Sequence, residues 1–498
     1  MKRIAISLGL AGVALLAACE KKEVILVGER ENIRAVLSEG NAETTLASAE
    51  APASAPPLNL PATRANTDWT QSIATPATRT AHPALSGSPR LIWSVDIGAG
   101  DGKRNRINAD PVVAGGRVFT LDSEARVSAV STSGQLLWTR DLTPANDSAS
   151  DASGGGLAYG AGKVFVSSGF GLLTALDAAS GAEIWQQDLR TTGTGSPTVY
   201  DGLVYLVSGD EVGWALDAND GRIKWQMTGT PDNNNVLGAP APAISNKYAV
   251  FAFGSGQVQG AFRKGGLRRW DAQVAGRRTG FGTGSVTDIT TDPVIDGNTI
   301  YVGSHSGRTI ALDLGNGERL WTAPDGPLNP VWPAGDSIFM VSDRNELLRL
   351  SARDGSRLWA RELPFFTKSK PRRQNEIYAH HGPIIAGGRL IIASNDGLMR
   401  FFTPQNGATI GSVAIPGGAT TEPVVAGSTL YVVSTDGKLL AVRGSRNAVT
   451  GRLDPLWSIG NDVLPRHRGP PERGQVHAVQ PLCRQTPGPG RQPARRHP

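Results

Sequence analysis

The chain has 498 residues, which exceeds one ordinary hydrophobic core and predicts either several domains or one domain extended by repetition. Its 61 Gly and 33 Pro, with only 19% charged residues, favour a β protein rich in tight turns over a helical one. The net charge of +6 comes wholly from residues 444–498, which hold nine Arg against three acidic residues, whereas residues 1–443 balance at 41 basic and 41 acidic. This balance implies no basic face of the kind that binds nucleic acid on the folded part.

The N-terminus has the pattern of a bacterial lipoprotein signal. A basic start, Met1–Arg3, precedes an apolar run, Ile4–Leu16, and a small-residue cleavage site that ends in Cys19. The apolar run is shorter than the roughly 20 residues that a transmembrane helix needs. Residues 1–19 are therefore predicted to be a signal peptide with a lipobox, and Cys19 is predicted to carry the lipid. Glu20 is not the Asp that usually retains lipoproteins in the inner membrane, so the predicted location is the periplasmic face of the outer membrane.

Residues 20–90 are predicted to be a spacer between the anchor and the folded part. Glu29–Leu37 has the composition of a brief helix, and Ala47–Pro61 is rich in Ala, Pro and Ser, which is typical of a flexible tether. The folded part is expected to begin near Leu91. Apart from the lipidated position the chain has one cysteine, Cys483, so no intramolecular disulfide is expected and packing must supply the stability.

One unit recurs along residues 91–443. Its clearest copy, Ala175–Trp185, predicts a strand, a tight turn at Gly181 and a strand that contains Trp. Before each unit lies an alternating strand pair with a Gly turn, such as Pro111–Phe119, and eight such pairs follow one another. Gly411 holds the eighth equivalent of the repeat Trp. The seven repeat Trp are Trp93, Trp138, Trp185, Trp225, Trp270, Trp321 and Trp359.

Each unit has the length and strand content of one propeller blade. We therefore predict an all-β fold, an eight-bladed β-propeller of four-stranded antiparallel blades over residues 91–443. Leu91–Asp96 is a Trp strand with no blade before it, and the last unit stops at Leu439–Arg443 without such a strand. The N-terminal Trp strand is thus predicted to close the last blade and remove the open edges. The repeat Trp are predicted to pack between blades.

Residues 444–498 have a different character. They are rich in Arg, Pro, Gly and His and have no periodicity, which predicts a disordered tail. A back-translation of the chain from Asp462 onward, read one base later, permits a strand followed by a G-x-x-x-x-G-K-S phosphate-binding loop. We therefore interpret residues 444–498 as out-of-frame read-through into a downstream GTPase gene. One intact reading frame through residue 498 at this locus would contradict that interpretation.

The sequence predicts no catalytic site, no metal and no cofactor. The adjacent His380 and His381 lack the spaced His, Cys or carboxylate partners of a metal site, so they are predicted to lie in a solvated loop. Asp217–Gly221 resembles the start of a calcium loop, but Thr228 stands where that loop requires Glu, and hairpin turn chemistry accounts for the pattern. No G-x-S-x-G elbow is present, and no Ser, His and Asp set can be assigned.

The lipobox, the tether and the eight repeats together resemble the BamB family of lipoproteins of the outer-membrane β-barrel assembly machinery, especially its alphaproteobacterial forms. Asn66–Gln71 and His82–Gly87 are similar to that group's approach to the first blade, and Thr421–Val424 and Asp436–Leu439 are similar to its last blade. The resemblance covers the chain up to about Arg443. It implies a non-catalytic scaffold that docks on the periplasmic POTRA domains of the barrel insertase BamA and helps unfolded outer-membrane proteins to fold and insert.

Two loops match the family's BamA-facing motifs in part. Asn234–Pro242 lacks the first Leu and the Arg of one motif, and Thr287–Pro293 keeps the first Asp of the other motif but not the second. The partner-binding residues that the resemblance implies are Asn234, Val236, Leu237, Asp288 and Thr290.

The chemistry of these loops leaves their roles open. Val236 and Leu237 either form an apolar surface for a partner or cap the core of a blade. Asp288 either pairs with an Arg of the partner or caps a turn. Both loops are nevertheless the places where the sequence predicts partner binding.

Two other functions are compatible with the sequence. The repeats also resemble the eight-bladed family that binds pyrroloquinoline quinone in periplasmic alcohol and glucose dehydrogenases. Those alcohol enzymes carry adjacent cysteines over the cofactor, and this chain has none. The other alternative is a propeller adaptor for a different envelope complex.

Overall fold

The computed structural model describes residues 56–79, 82–191, 195–231, 239–274, 288–289, 291–305 and 307–444. The predicted signal peptide with Cys19, the predicted helix at Glu29–Leu37, and residues 445–498 with Cys483 lie outside the described residues. The described part of the chain forms 32 β-strands and two short 3-10 turns, at Ala149–Asp151 and Pro371–Arg373. The prediction of an all-β protein is therefore confirmed.

The strands form eight antiparallel sheets of four, which we number as blades in chain order. Blades 1 to 4 consist of β2 (Val112–Ala114), β3 (Arg117–Leu121), β4 (Arg126–Ser131), β5 (Leu136–Asp141); β6 (Gly155–Gly160), β7 (Lys163–Ser168), β8 (Leu172–Asp177), β9 (Glu183–Asp188); β10 (Thr198–Tyr200), β11 (Leu203–Val207), β12 (Val212–Asp217), β13 (Ile223–Thr228); β14 (Ala243–Ile244), β15 (Tyr248–Ala252), β16 (Gln257–Phe262) and β17 (Arg268–Gln273). Blades 5 to 8 consist of β18 (Val294–Asp296), β19 (Thr299–Ser304), β20 (Arg308–Asp313), β21 (Arg319–Ala323); β22 (Trp332–Ala334), β23 (Ser337–Val341), β24 (Glu346–Ser351), β25 (Arg357–Glu362); β26 (His380–Ala386), β27 (Arg389–Ser394), β28 (Leu398–Phe402), β29 (Thr409–Ala414); β30 (Val424–Ala426), β31 (Thr429–Val433), β32 (Lys438–Arg443) and β1 (Arg90–Asp96).

In each blade the fourth strand is the most exposed of the four. In blade 1 all of β2 and most of β3 and β4 are buried, whereas β5 is largely exposed. The first strands of neighbouring blades contact one another, as β2 does with β6 and β10 does with β14. The first strands therefore surround the axis of the ring, and the fourth strands form its outer wall. The eight-bladed propeller of four-stranded blades is confirmed.

The two ends of the propeller meet in blade 8. The first strand of the chain, β1, pairs antiparallel with β32, and Trp93 lies opposite Ala441. Because β1 supplies the fourth strand of a blade whose other strands come from the far end of the chain, the ring is held shut by backbone hydrogen bonds. A bulge between Leu91 and Trp93 marks the register shift in this pairing.

The repeat Trp lie on the fourth strands and pack against the next blade. In blade 1 the indole of Trp138 covers Gly181, where an added Cβ would come within 2.6 Å of Cε3 of the ring. Gly181 has a φ of +73°, so this tight turn requires glycine on both grounds. The indole NH groups of six Trp donate to a backbone carbonyl of the following blade: Trp138 to Ala178, Trp185 to Ala218, Trp225 to Arg263, Trp270 to Leu314, Trp321 to Ala352 and Trp359 to Pro404.

The remaining two seams involve the closing blade. Trp93 of blade 8 packs on Gly134 of blade 1, so this seam has the same indole-on-glycine contact as the others. Between blades 7 and 8 the Trp position is Gly411, which has no atom within 4 Å of an added Cβ. In blade 8 the third and fourth strands, β32 and β1, are the two ends of the propeller and have no turn between them. The one seam without Trp is therefore the one that lacks the turn on which the indole packs.

The predicted tether ends earlier in the chain than expected. Residues 56–79 and 82–89 lie against the propeller, and Trp69 is fully buried there. Trp69 and Val113 of β2 exchange two backbone hydrogen bonds of 2.7 Å. The prediction that the folded part begins near Leu91 is thus wrong. The Ala, Pro and Ser content of this region indicated a tether, but its apolar and hydrogen-bonding residues anchor the segment to the propeller.

This segment, residues 56–79 and 82–89, which we call the channel segment, lies at the centre of the ring. Its residues 66–83 make backbone or side-chain hydrogen bonds to the first strand, or to a residue next to it, in every blade. The partners, from blade 1 to blade 8, are Val113, Tyr159, Val199, Ile244, Ile295, Val331, Gly387 and Gly427. A single piece of chain therefore ties all eight blades together at the axis.

Candidate functional site on the connection face

The propeller has two end faces that differ in their loops. The strands of a blade alternate in direction, so the turns between its first and second and between its third and fourth strands lie at one end, the turn face. The connections between blades and the turns between second and third strands lie at the other end, the connection face. Both loops that the sequence predicts for partner binding are connections between blades, so they belong to the connection face.

The structure places the predicted partner residues unevenly. Asn234, Val236, Leu237 and Thr290 lie outside the described residues. Asp288 is described and only 3% exposed, and its carbonyl accepts a hydrogen bond of 2.9 Å from the backbone NH of His305. Of the two roles considered for Asp288, capping a turn fits this burial better than direct contact with a partner.

The two predicted loops are neighbours in the structure. The backbone NH of Ala241, in the first loop, donates to Oδ1 of Asp292, in the second loop, at 2.7 Å. On the other side, Thr198 of blade 3 donates its hydroxyl to the carbonyl of Pro242 at 2.7 Å. The described ends of the loops before blades 4 and 5 therefore adjoin on the connection face.

Three carboxyl groups line the axis just below this face. Asp110, Asp292 and Glu422 each precede a Pro that stands directly before a first strand, in blades 1, 5 and 8. The backbone NH of Glu422 donates to Oδ1 of Asp110 at 2.7 Å, which joins the first and last blades. The sequence analysis missed this cluster, although the repeated acid-Pro pair was a visible signal.

Within the described residues, the cation that pairs with this cluster comes from the channel segment. Arg79 forms a two-pronged salt bridge with Glu422, with both N–O distances at 2.9 Å and both side chains 2% exposed. Its guanidinium also donates to the carbonyl of Pro330 at 2.8 Å and lies 5.1 Å from the ring of Trp332. Trp332 in turn contacts Trp69, with ring centroids 6.3 Å apart. Arg79 is thus fixed by charge, hydrogen bonding and aromatic packing.

The environment of the cluster raises the pKa of all three carboxyl groups. Burial, aided by the negative charge of Glu422, holds the pKa of Asp110 well above its ordinary value. Burial also raises the pKa of Asp292 and of Glu422, although Arg79 opposes the rise in both. Three carboxyls that share one cation in a poorly solvated space are costly to ionise together, which explains why all three pKa values are raised.

The histidine pair differs from its prediction. His380 is 2% exposed on β26, with Nδ1 2.6 Å from the hydroxyl of Ser394 and Nε2 2.7 Å from the carbonyl of Pro364. Burial lowers the pKa of His380, and burial with its neighbour lowers the pKa of His381 to about 4. The prediction of a solvated loop is therefore wrong, because the pair begins the first strand of blade 7. Within the described ranges no three His, Cys, Asp or Glu are grouped to hold a metal ion.

A cleft of about 310 Å³ lies on the connection face where blades 8 and 1 meet, and acidic side chains line it. Among them, Asp122 accepts hydrogen bonds of 2.8 to 2.9 Å from the backbone NH groups of Ala99, Glu124 and Arg126. This carboxylate therefore stabilises the local turn, as expected of Asp at such a position.

Known proteins match this chain in sequence over most of the propeller. A sequence profile for the outer membrane protein assembly factor BamB matches residues 123–361. The outer membrane protein assembly factor BamB of Yersinia pestis is 24% identical over 363 residues, which span 71% of this chain and 88% of that protein. The protein of the same name from Escherichia coli (strain K12) is 23% identical over 362 residues, which span 71% of this chain and 89% of that protein.

Solved structures share the fold. The crystal structure of BamB from Moraxella catarrhalis has a TM-score of 0.59 and 18% identity, and the match covers 72% of this chain and 100% of that one. Quinohemoprotein alcohol dehydrogenase from Comamonas testosteroni has a TM-score of 0.57 and 16% identity, and the match covers 78% and 82%. At these identities the structures show the common fold: this chain is an eight-bladed propeller, and in sequence it is similar to proteins named outer membrane protein assembly factor BamB.

Proposed function

We propose that this protein is a non-catalytic scaffold of outer-membrane β-barrel assembly, which binds the POTRA domains of BamA, alongside the other components of that complex, and aids the folding and insertion of outer-membrane proteins. The observation that carries the proposal is the sequence match to relatives named outer membrane protein assembly factor BamB, which spans 88% of the Yersinia pestis protein. The alphaproteobacterial type of this family is the form that the sequence resembles.

The structure supports a binding role for the connection face. The loops before blades 4 and 5 adjoin through the bond between Ala241 and Asp292, so side chains from both can contact one partner. The ring beneath them is tied at the axis by the channel segment and at its seams by Trp contacts. A rigid base lowers the entropy lost when loops bind, and it favours recognition of a folded domain.

We place the protein at the periplasmic face of the outer membrane, anchored by lipid at Cys19. The support is the lipobox in the sequence and the names of the relatives. In the part of the chain that the structure describes, no helix is both long and apolar enough to cross a bilayer.

Co-purification tests the proposal directly. Full-length protein solubilised from membranes in mild detergent should retain BamA, and Leu237→Asp should weaken that retention by about tenfold or more, because a charge would be placed in an apolar contact. Leu267→Asp is the matched control, since Leu267 is 69% exposed at the turn face of blade 4.

The outcome separates the alternatives. Capture of BamA by the control but not by Leu237→Asp supports the connection face as the binding surface. Equal capture by both variants contradicts the assignment of these loops, and no capture by the unaltered protein contradicts the function. Capture of a different envelope complex in place of BamA would identify the propeller as an adaptor for that complex.

A second candidate is a quinoprotein dehydrogenase, which the fold shared with quinohemoprotein alcohol dehydrogenase favours. A ligand on the axis of the ring would have to displace Trp69 and Arg79, which belong to the channel segment and are both buried there. Adding pyrroloquinoline quinone and calcium to the purified protein, then recording its absorbance and its oxidation of alcohols, tests this reading. A stoichiometric complex with dehydrogenase activity would overturn the scaffold proposal.

A further inference from the structure

The longest described connection between blades forms a structured hairpin. Residues 364–379, which we call the basic hairpin, join blade 6 to blade 7 on the connection face. The backbone NH of Thr367 donates to the carbonyl of Glu376 at 3.1 Å, and that of Tyr378 donates to the carbonyl of Phe365 at 2.8 Å. The connection is thus a paired element with a defined shape.

The base of the hairpin is fixed to the propeller. The side-chain amide of Asn345, from the turn between the second and third strands of blade 6, donates to the carbonyls of Tyr378 at 2.9 Å and of Pro364 at 3.3 Å. Asn345 is itself 1% exposed. Because both legs are held by one buried side chain, the hairpin has little conformational entropy left to lose on binding.

The tip of the hairpin concentrates positive charge. The hairpin contains four basic residues and one acidic residue, Glu376. All four basic side chains are exposed, and none of them forms a salt bridge with a described residue. They are Lys368, Lys370, Arg372 and Arg373. This charge stands out against the balanced charge of residues 1–443.

Apolar side chains flank the charged tip. Phe366 and Ile377 lie opposite each other on the two legs of the hairpin, and they are 39% and 45% exposed. Phe365 packs edge to face on Phe366 with ring centroids 4.6 Å apart, which holds the exposed ring in position. An exposed aromatic and aliphatic pair beside four cations has the composition of a binding surface.

The position of the hairpin favours a polypeptide over a bilayer as its partner. The channel segment begins on the opposite, turn face, where the carbonyl of Pro56 accepts hydrogen bonds from Arg349 and Gln405 at 3.0 and 2.8 Å. The chain that leads back to the anchor thus leaves from the turn face, and the basic hairpin projects from the connection face. The preference for a polypeptide over a bilayer is the one part of the inference that rests on the proposed lipid anchor.

We propose that the basic hairpin is a second docking surface, which binds an acidic polypeptide segment whose apolar side chains pack on Phe366 and Ile377. The carboxylates of the segment pair with the four cations at the tip. The surface is separate from the loops before blades 4 and 5, so it can hold a second partner or a second part of the same partner.

The test measures binding of a fluorescent synthetic peptide in which Glu residues flank a pair of Leu residues. Reversal of all four cations, by Lys368→Glu, Lys370→Glu, Arg372→Glu and Arg373→Glu in the full chain, should weaken binding by about tenfold or more and abolish its salt dependence. The matched control reverses four exposed cations on the turn face: Arg222→Glu, Lys264→Glu, Arg268→Glu and Arg353→Glu. This control should change the affinity by less than about twofold.

A milder set guards against misfolding. Replacing the same four hairpin cations by Gln should weaken binding by an intermediate amount. Phe366→Ser should weaken binding of the Leu-containing peptide more than binding of an all-Glu peptide, because only the first contacts the ring.

Three results would overturn the proposal. They are no binding by the unaltered protein, equal loss in the turn-face control, and binding of phosphatidylglycerol vesicles through the four hairpin cations without binding of the peptide. None of these measurements involves BamA, so their failure is distinguishable from failure of the proposed function.

Discussion

The outer seams of the propeller and its centre are stabilised in different ways. At the seams one contact is repeated: a Trp on the fourth strand covers a glycine turn of the next blade and, in six seams, donates its indole NH to that blade. At the centre the contacts occur once each, as with the salt bridge between Arg79 and Glu422. Repetition makes the seams tolerant of a single loss, whereas the salt bridge at the centre has no second copy among the described residues.

The comparison separates two kinds of stability. A seam depends mainly on apolar area removed from water, which scales with how much of each Trp is covered. The centre depends on charged groups that are costly to bury and that stay stable only while paired. The predictions below test this difference, beginning with the largest expected effect.

Arg79→Ala should lower the free energy of unfolding by about 3–5 kcal/mol, because it leaves Glu422 buried without its cation. Chemical denaturation followed by Trp fluorescence measures the change. The double variant Arg79→Met with Glu422→Gln should lose less than Arg79→Ala, since no unpaired charge remains. As a control, Arg140→Ala removes an exposed pair with Glu183 and should cost about 0.5 kcal/mol or less. Equal losses for Arg79 and Arg140 would contradict the assigned importance of the centre.

Trp359→Ala should lower the free energy of unfolding by about 3 kcal/mol, because Trp359 is 2% exposed and its removal leaves a cavity between blades 6 and 7. The same denaturation experiment applies. Trp138→Ala should cost less, since that side chain is only half-buried. A larger loss at Trp138 than at Trp359 would show that burial does not control the strength of a seam.

Asp110→Asn should change how stability depends on pH. The pKa of Asp110 is raised in the folded state, so ionisation disfavours the fold, and the variant should gain stability over the unaltered protein as the pH rises above the ordinary pKa of 3.8. Asp354→Asn should behave in the opposite way, because hydrogen bonds from Ser356 lower the pKa of Asp354 to about 2 and its ionised form favours the fold.

Thermal unfolding between pH 2 and pH 8 measures both differences: the effect of Asp354→Asn changes as the pH falls from about 4 to about 2, and that of Asp110→Asn changes as the pH rises above 3.8. The buried His380 and His381, whose pKa values are lowered, contribute a rise in stability with pH that is common to all three proteins and cancels in the comparison. A pH-independent difference for Asp110→Asn would contradict a raised pKa at the centre.

Gly411→Trp should change the free energy of unfolding by less than about 1 kcal/mol, which is the range of strand preference alone. Position 411 faces no turn of the next blade, so an indole there finds no glycine to cover. A gain as large as the loss in Trp359→Ala would show that blade 8 can accept the indole contact that the other seven seams make. Denaturation of Gly411→Trp beside the unaltered protein decides this.

The contacts at the seams could be predicted from the sequence, but those at the centre could not. The spacing of Trp and Gly residues gave the number of blades and the closure by β1, because every repeat must meet the same geometric demand. Arg79 and Glu422 are 343 positions apart, and neither belongs to a pattern that links them. Their pairing follows only when the ring brings the first and last blades around the channel segment.

Local composition was least informative where tertiary contacts decide the environment. The Ala and Pro content around Ala47–Pro61 indicated a tether, yet Pro56 and Leu58 already form hydrogen bonds to Gln405. The pair His380 and His381 was predicted to lie in a solvated loop because the sequence offers it no metal-site partners, whereas in the fold Ser394 and Pro364 bond to His380. The missed acid-Pro pairs became meaningful only at the axis, where three carboxyls converge.

The pairing of β1 with β32 constrains the order in which a newly made chain can fold. Arg90–Asp96 has no partner strand until Lys438–Arg443 has been made. The strand β1 must therefore stay unpaired while blades 1 to 7 form. A fragment truncated before residue 438 would leave β1 without its partner strand, exposed to proteases and free to pair with another copy.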